Sequence, residues 1–457
     1  MAEVRVSAIL LLFLASCQFD RGGVDFGDGG TTTGADASRP GDGNGGGDAC
    51  VPGCSGDVLT RCQPSPSTET CPLGCNGTTI SCRALVPSNG ASAQNLQGVT
   101  DGLVVPAASA ASIDSSDGTV IVDGSEVRPG GEGLAAGMRF TVLGDNIGVL
   151  AVDRVDIGVG AVLRVRGKLA LIILSRGDAT LDGVIDVSAG CADGSVICGG
   201  PGAGTGSTSE DSDSTGCAPG GHGHGSFGLE PETGGGGGGF GGAGETGGAA
   251  DSTHPGGTAG VPGGACAGAS LVPLMGGAAG GAGGSGGNGG DGGGGGGALQ
   301  LTSFTAIHLA GASAGAPAGV RASGAGGRGG EGSDGGGGGG AGGGVLLEAP
   351  AIDLSNTVLA ANGGGGGGGG GSPDTDVGEP GPFGQAQAAG GGADSHAGGS
   401  GGSVASGPTA GAGGGDDTGG GGGGVGIIRL NAPLDTLNVG GNVIVSPAYT
   451  RGDPAAQ

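Results

Sequence analysis

The chain of 457 residues contains no tryptophan and one tyrosine, and aromatic residues make up 2% of it. Basic residues are also scarce, because 16 stand against 42 acidic ones and Lys168 is the only lysine. Phosphate backbones are bound by clustered Lys and Arg, so a net charge of −26 excludes a nucleic-acid partner. The shortage of aromatic rings also leaves little to stack on a sugar.

Glycine is the residue present in excess, at 129 of 457 positions. An ordinary domain contains about 7% glycine. Collagen does not fit, because the third-residue rule fails over most of the chain and only 23 prolines are present. Complete disorder does not fit either, because 35% of the residues are hydrophobic and cluster in short aliphatic segments. The composition indicates a repeat architecture with glycine-rich insertions.

The glycine-rich segments show a three-residue rhythm, clearest over residues 280–297 as repeated Gly-Gly-X triplets. Three residues per turn is the period of the polyproline-II helix, and Gly-Gly-X leaves two of its three edges without side chains. Neighbouring chains can then pack closely and exchange backbone hydrogen bonds. The pattern therefore predicts polyglycine-II-like extended helices, with unstructured loops as the alternative.

The N-terminus predicts a bacterial lipoprotein signal over residues 1–17. An apolar run over residues 6–14, too short to span a bilayer, leads into Leu-Ala-Ser-Cys, which ends at Cys17. We expect Cys17 to be lipidated and to anchor the chain in the bacterial outer membrane. The surface is the expected side and the periplasmic face is the alternative. Residues 18–48, rich in Gly, Asp and Thr, predict a flexible tether.

Ten cysteines remain after Cys17, an even number that favours disulfides in an oxidising compartment. Six lie in a predicted Cys-rich module over residues 49–86, which has too few apolar residues for a core of its own. Three disulfides there and two more further along are expected, with a zinc site in the module as the alternative. The ten candidates are Cys50, Cys54, Cys62, Cys71, Cys75, Cys82, Cys191, Cys198, Cys217 and Cys266.

Beyond residue 90 the aliphatic segments align as internal repeats of about 18 to 21 residues, most with three short alternating strands. They cover residues 149–165, 170–187, 298–309, 345–362 and 426–445. Such repeats predict an all-β parallel β-helix, or solenoid, over residues 87–457, with a β-sandwich carrying disordered loops as the alternative. Glycine-rich insertions are predicted near residues 189–297, 311–344 and 362–425, all emerging on one side.

The chain resembles glycine-rich exported lipoproteins, mostly uncharacterised, of bacteria with large genomes. The resemblance rests on the Leu-Ala-Ser-Cys box, the Pro-Ser-Asn-Gly of residues 87–90, and units such as residues 346–350 leading to residues 360–364. The Gly-Gly-X tracts alone are similar in composition to the glycine-rich repeats of mycobacterial surface proteins. Neither resemblance implies an established activity.

Candidate chemistry is sparse. Residues 286–291 and 329–334 match the start of a calcium-binding nonapeptide, but Gly293 and Gly336 replace the apolar residue that should follow. We expect no cofactor or metal site, apart from calcium held loosely by carboxylates such as Asp416 and Asp417. Three other short features are weak signals, namely a metal site of His222, His224, Cys217 and His254, and cell-attachment tripeptides at residues 176–178 and 451–453.

The sequence therefore predicts a membrane-anchored, surface-exposed structural or adhesive glycine-rich lipoprotein without catalytic activity. Its expected partners are the membrane, extracellular polysaccharide and neighbouring cell surfaces. The alternative is a polysaccharide-binding or polysaccharide-degrading enzyme on a β-helix, with Glu348, Asp353 and Arg429 as outward-facing candidates.

Overall fold

A computed structural model describes residues 50–457 except 145, 192, 210, 226–231, 252–256, 285–288, 314–316, 372–373, 393–395 and 416. The predicted signal peptide, Cys17 and the tether lie outside the described residues. Within them the chain is all-β, as predicted, with 29 strands, one 3₁₀ turn and no α-helix. The described residues accordingly include no helix suited to crossing a membrane.

The Cys-rich module is built from short antiparallel pairs. Cross-links at Cys50–Cys62, Cys54–Cys75 and Cys71–Cys82 hold it together. Its only fully buried aliphatic side chain before residue 85 is Leu59, so the disulfides stand in for a hydrophobic core. The strands are β1 Gly53–Ser55, β2 Val58–Arg61, β3 Ser67–Thr70, β4 Cys75–Asn76, β5 Ser81–Cys82 and β6 Leu85–Val86.

The next segment mixes parallel and antiparallel strands. After the 3₁₀ turn at Ala93–Leu96, β7 and β8 pair in parallel with later strands, whereas β9 to β12 pair as antiparallel neighbours. The strands are β7 Leu103–Val105, β8 Ala110–Asp114, β9 Val120–Val122, β10 Ser125–Arg128, β11 Gly133–Ala135 and β12 Met138–Leu143.

Five sets of three strands follow, and they match the five predicted repeats except that the third strand of the third set lies beyond the predicted end at residue 309. The sets are β13 Ile147–Val152, β14 Val155–Ile157 and β15 Val162–Arg166; β16 Ala170–Ser175, β17 Ala179–Leu181 and β18 Val184–Asp186; β19 Ala298–Ser303, β20 Ile307–Ala310 and β21 Ala318–Arg321; β22 Gly344–Glu348, β23 Ile352–Ser355 and β24 Thr357–Ala360; β25 Ile427–Asn431, β26 Leu437–Val439 and β27 Ile444–Ser446. Two short strands, β28 Thr450–Gly452 and β29 Ala455–Ala456, end the chain.

Successive strands of each set enter three different sheets. The first sheet has the order β11-β12-β13-β16-β19-β22-β25-β28, the second β26-β23-β20-β17-β14-β7, and the third β10-β9-β8-β15-β18-β21-β24-β27. Pairing between sets is parallel throughout. The chain thus returns to the same sheet after every third strand.

The strand register places similar side chains of successive sets above one another. Five side chains of the first sheet lie opposite each other on neighbouring strands and are fully buried, namely Leu150, Ile173, Leu301, Leu347 and Leu430. Burying such a side chain contributes roughly 1.5–3 kcal/mol, while fixing one residue's backbone costs roughly 1–2 kcal/mol. A single set of about 20 residues with few buried side chains cannot fold alone, so neighbouring sets must share the core.

Three glycine-rich insertions each leave a strand of the third sheet and rejoin the chain at the first sheet. They span residues 187–297, 322–343 and 361–426 between the bounding strands.

The second insertion begins later than the predicted residue 311, because β21 occupies Ala318–Arg321. Its sequence, Ala-Gly-Val-Arg, has too little aliphatic content to be read as a strand. Gly319 is required there because a Cβ would collide with the backbone of Val358 on β24.

Candidate functional site

The three insertions meet in one hydrogen-bonded body. Extended segments from different insertions lie beside one another and bond through their backbones. We call this body the glycine bundle and define it by residues 233–240, 277–284, 290–297, 322–330, 335–343, 363–369 and 418–424. The strand ends of the first and third sheets position it, since every insertion is fixed at both ends by a buried strand.

Residues 335–343 lie at the centre of the glycine bundle. All nine backbone N–H groups donate to carbonyl oxygens of neighbouring segments, at N···O distances of 2.7–3.0 Å. Residues 335, 338 and 341 donate to residues 284, 281 and 278 of one neighbouring segment. Residues 336, 339 and 342 donate to a second segment, and residues 337, 340 and 343 donate to a third. Consecutive residues therefore face three different neighbours, and every third residue returns to the same one, as in a helix with three residues per turn.

The carbonyl groups of the same central segment bond three more neighbours. Residues 290, 293 and 296 donate to residues 335, 338 and 341, and two other segments donate through residues 235 and 238 and through residues 364 and 367. The segment is therefore surrounded by six others. All nine of its N–H groups and eight of its nine carbonyl groups bond to other backbone groups. Backbone partners thus replace side chains in meeting the requirement for a buried segment outside a sheet.

Side chains are excluded from this arrangement by distance. A Cβ on Gly338 would lie 2.5 Å from the carbonyl carbon of Gly236, and one on Gly337 would lie 2.5 Å from that of Asp291. Real Cβ atoms do not approach backbone atoms so closely, and the obstacle is backbone that is itself hydrogen-bonded. Glycine is thus required for close approach of chains, independently of its φ angle.

A small apolar cluster joins the glycine bundle to the first sheet. Phe240 and Ala341 of the bundle pack with Leu346 on β22 and Ile427 on β25, and Leu271 completes the cluster. Phe240 is fully buried. These contacts fix the position of the bundle on the sheet edge.

An ion-pair group lies at one edge of the glycine bundle. The Arg328 guanidinium is 3.5 Å from a carboxylate oxygen of Asp291 and also pairs with Asp374. Burial raises the pKa of the Asp291 carboxyl above its ordinary value, and the charge of Arg328 opposes that rise. Desolvation outweighs the ion pair, so this group does not stabilise the edge through charge.

All ten candidate cysteines beyond Cys17 are disulfide-bonded. In addition to the three disulfides of the module, Cys191–Cys198 closes a short loop and Cys217–Cys266 links two segments of the first insertion. Cys217 is therefore unavailable as a metal ligand beside the neighbouring imidazoles of His222 and His224, whose ring centroids are 4.7 Å apart. His254 lies outside the described residues.

The second sheet carries a line of polar residues on its outer face, which we call the polar row. The register places one polar residue from each of five strands in line, namely Asp156, Thr180, His308, Asp353 and Asn438. The Asn438 amide donates to Oδ1 of Asp353 at 3.0 Å. Adjacent strands are about 4.8 Å apart, so the row presents one polar group at each such step.

A cleft of about 440 Å³ adjoins the polar row at Asp156 and Thr180. One of its two arginines, Arg176, donates to a carboxylate oxygen of Asp153 at 2.7 Å and to the carbonyls of Leu96 and Val99. The predicted tripeptide of residues 176–178 is thus engaged inside the molecule, since the Asp178 carboxylate also accepts from Thr305. Both ends of the tripeptide are used structurally.

The three outward-facing candidates of the enzyme hypothesis do not form one site. Asp353 lies on the second sheet and is exposed, whereas Glu348 and Arg429 lie on neighbouring strands of the first sheet and both hydrogen-bond Asn431. Glu348 is fully buried, because residues 87–89 cover it. The expectation of an exposed Glu348 is wrong for that reason.

Glu348 instead accepts five hydrogen bonds, a network that the sequence did not suggest. Ser88 donates through its N–H at 2.9 Å and its hydroxyl at 2.7 Å, and the others come from Gln300, Thr302 and Asn431. The three strand residues occupy neighbouring positions on β19, β22 and β25 together with Glu348. The partner Ser88 is 260 residues away in sequence, so no local pattern could reveal it.

Among the described residues, the carboxylates considered for loosely held calcium form no ligand cluster. Asp291 pairs with Arg328, Asp334 is buried, and Asp417 lies 2.9 Å from the imidazole of His396. Residues 286–288 and 416 lie outside the described set. Within the described parts of 50–457, no group of three His, Cys, Asp or Glu side chains is placed to hold a metal ion.

No protein-family model, curated protein or solved structure matches this chain. Two surfaces stand out, the glycine bundle and the polar row, and the first contains far more of the chain's unusual sequence.

Proposed function

We propose that this protein is a lipid-anchored structural or adhesive lipoprotein of the bacterial outer membrane, without catalytic activity. In this proposal a disulfide-stapled module and a parallel β-helix carry a polyglycine-II-like bundle that contacts polymers or neighbouring cells. Cys17 is the proposed lipid attachment site.

The parallel register of the three sheets supports the β-helix part of this proposal. Each set of strands contributes one strand to each sheet, and core residues stack in line across the sets. A β-sandwich built of antiparallel strands does not account for a chain that returns to the same sheet after every third strand. The register therefore favours the β-helix over the β-sandwich.

The single observation that carries the functional proposal is the six-neighbour hydrogen bonding of residues 335–343. An ordered interior of backbone groups gives a rigid body whose faces carry few side chains. Such a body offers extended surface and spacing, the properties that a coat or an adhesin needs. Its central segment, residues 335–343, consists of glycine and alanine and carries no titratable group of the kind that catalysis uses.

The test is accessibility of the glycine bundle on intact cells. An epitope inserted after Gly407, which is exposed and has open space around it, leaves the hydrogen-bonded segments unchanged. Antibody labelling of intact cells is the expected result. Labelling only after the outer membrane is permeabilised would overturn surface display and leave a periplasmic scaffold. A Cys17→Ala variant, expected to leave the membrane fraction, tests the anchor separately.

Adhesion is tested with the same strains. Cells lacking the protein are compared with cells carrying the epitope-tagged chain or its Gly338→Ala variant, at matched epitope signal. We expect attachment to polysaccharide-coated surfaces or to other cells to fall in the strain without the protein and in the variant. Equal attachment in all three strains would contradict an adhesive role.

The polar row supports one second candidate, binding of an extended polysaccharide. Exposed carboxylates such as those of Asp156 and Asp353, in line on the second sheet, could accept hydrogen bonds from hydroxyl groups along a polymer. The double variant Asp156→Ala and Asp353→Ala would then weaken retention on a polysaccharide column while Gly338→Ala would not, which separates the two candidates.

A further inference from the structure

The three sheets end together at the last set of strands. The first sheet ends at β28, the second at β26 and the third at β27. Each of these strands pairs with a neighbour on one side only, so three adjacent strands present free backbone edges at the same end. We call this surface the open end.

The core is incompletely covered at the open end. Inward-facing Ile352, Leu354 and Leu359 of the preceding set are fully buried. Their register partners Leu437, Val439 and Val445 are only partly buried, although they pack on the same core. The last layer of the hydrophobic core is therefore less completely buried than the layer before it.

Two further apolar side chains widen the exposed area. Leu434 is 72% exposed and Ile444 is 39% exposed, and both belong to the last set of strands. Free strand edges beside exposed apolar surface form a template for pairing with another chain.

The opposite end of the sheets differs in how well the core is covered. Strands β7, β10 and β11 are edge strands there, but Phe140, Met138 and Val120 are buried beneath the antiparallel strands β9 to β12. Arg128 is also fully buried there and donates to four backbone carbonyl groups. Association therefore buries further core surface at the open end, which favours the meeting of two open ends.

Charge favours the same pairing. The chain carries a net charge of −26, which opposes self-association over most of its surface. Residues 429–453 contain Arg429, Asp435, Arg451 and Asp453, two positive and two negative, so the open end is neutral. It is a neutral, partly apolar surface on an acidic protein.

We propose that two copies of this chain associate through their open ends around a two-fold axis. Such an axis brings edge strands of the two copies together in antiparallel orientation, with the same surface used on both copies. The pairing covers the partly buried residues Leu437, Val439 and Val445 of each copy and extends the backbone ladders. It doubles the number of glycine bundles carried by one assembly, and it does not depend on the proposed adhesive role.

The test is the mass of the purified full chain carrying Cys17→Ala, measured by light scattering during gel filtration over a series of concentrations. We expect twice the mass of one chain at high concentration. Val445→Lys places an unpaired charge in the interface and is expected to give a monomer. Ile444→Lys, on the exposed face of the same edge strand, is the gentler variant and is expected to weaken the dimer.

Val127→Lys is the matched control, since Val127 is also 39% exposed and lies on β10 at the opposite edge of the third sheet. It should leave the dimer intact. Hydrogen exchange supplies a second readout, because protection of residues 437–452 should rise with protein concentration. A monomer at every concentration, or a dimer that both open-end variants leave unchanged, would overturn the proposal.

Discussion

The sheet core and the glycine bundle solve the same packing problem in opposite ways. In the core, aliphatic side chains such as Leu301 and Leu347 fill the space between sheets, and backbone groups bond along the strand ladders. In the bundle, the backbone itself fills the interior, and each segment bonds up to six neighbours. The core therefore requires side chains of a certain size, whereas the bundle requires that there be none.

This contrast predicts that the core is sensitive to the loss of side-chain atoms and the bundle to their addition. A methylene lost from the core leaves a cavity, to which neighbours adjust in part. A methyl group added within the bundle meets hydrogen-bonded backbone on several sides, which cannot move without breaking bonds. The bundle should be the less tolerant of the two regions.

The largest effect is expected for Gly338→Ala at the centre of the glycine bundle. The new Cβ would press on the Gly236 carbonyl group, so at least two segments must separate. We expect a loss beyond about 4 kcal/mol in the free energy of unfolding, in the range of severe overpacking. Denaturant unfolding followed by circular dichroism measures it, and hydrogen exchange of residues 335–343 localises it.

Gly264→Ala is the control for this change, because a Cβ on Gly264 meets no atom within 4 Å. It should leave the unfolding curve unchanged. If both variants were equally mild, close approach of the bundle segments would not explain the glycine content.

A smaller effect is expected for Leu354→Ala in the core. Leu354 is fully buried on β23, and its truncation should lower the free energy of unfolding by about 3 kcal/mol. Val439→Ala removes two methyl groups at the register-equivalent but partly buried position on β26, so its cost should be clearly lower. Equal losses would mean that the open end is covered in solution, which links this comparison to the proposed dimer.

The sequence predicted the sheet core in more detail than it predicted the glycine bundle. Aliphatic repeats placed the strands of the five sets, because buried strands demand Val, Ile and Leu in short runs. The exception was β21, where close packing of Gly319 replaces side-chain bulk. The antiparallel strands β9 to β12 follow no repeat and were not predicted. The three-residue rhythm predicted the kind of backbone in the bundle.

The rhythm could not predict which segments become neighbours. Glycine carries no side chain to specify a partner, so the pairing of residues 335–343 with segments up to about a hundred residues away is set by the strands that fix each insertion. The same holds for the candidate sites. The polar row depends on register between sets, and the burial of Glu348 depends on the distant Ser88.

The smallest effect is expected at the edge of the glycine bundle, where a side chain is tolerated. Burial raises the pKa of Asp291 despite the nearby Arg328, so the folded state holds the proton more tightly than the unfolded state. Ionisation therefore costs stability as the pH rises through the folded-state pKa. Asp291→Asn removes this cost, and at neutral pH it should change the free energy of unfolding by less than about 1 kcal/mol, in the stabilising direction.

The pH dependence separates this explanation from a general effect of the substitution. Below the ordinary pKa of an aspartate both chains are neutral at this position, so the difference in unfolding free energy between wild type and Asp291→Asn should vanish there and grow toward neutral pH. A loss of stability at neutral pH would mean that the ion pair with Arg328 outweighs desolvation. The edge of the bundle would then depend on side-chain charge, in contrast to its interior, which depends on backbone alone.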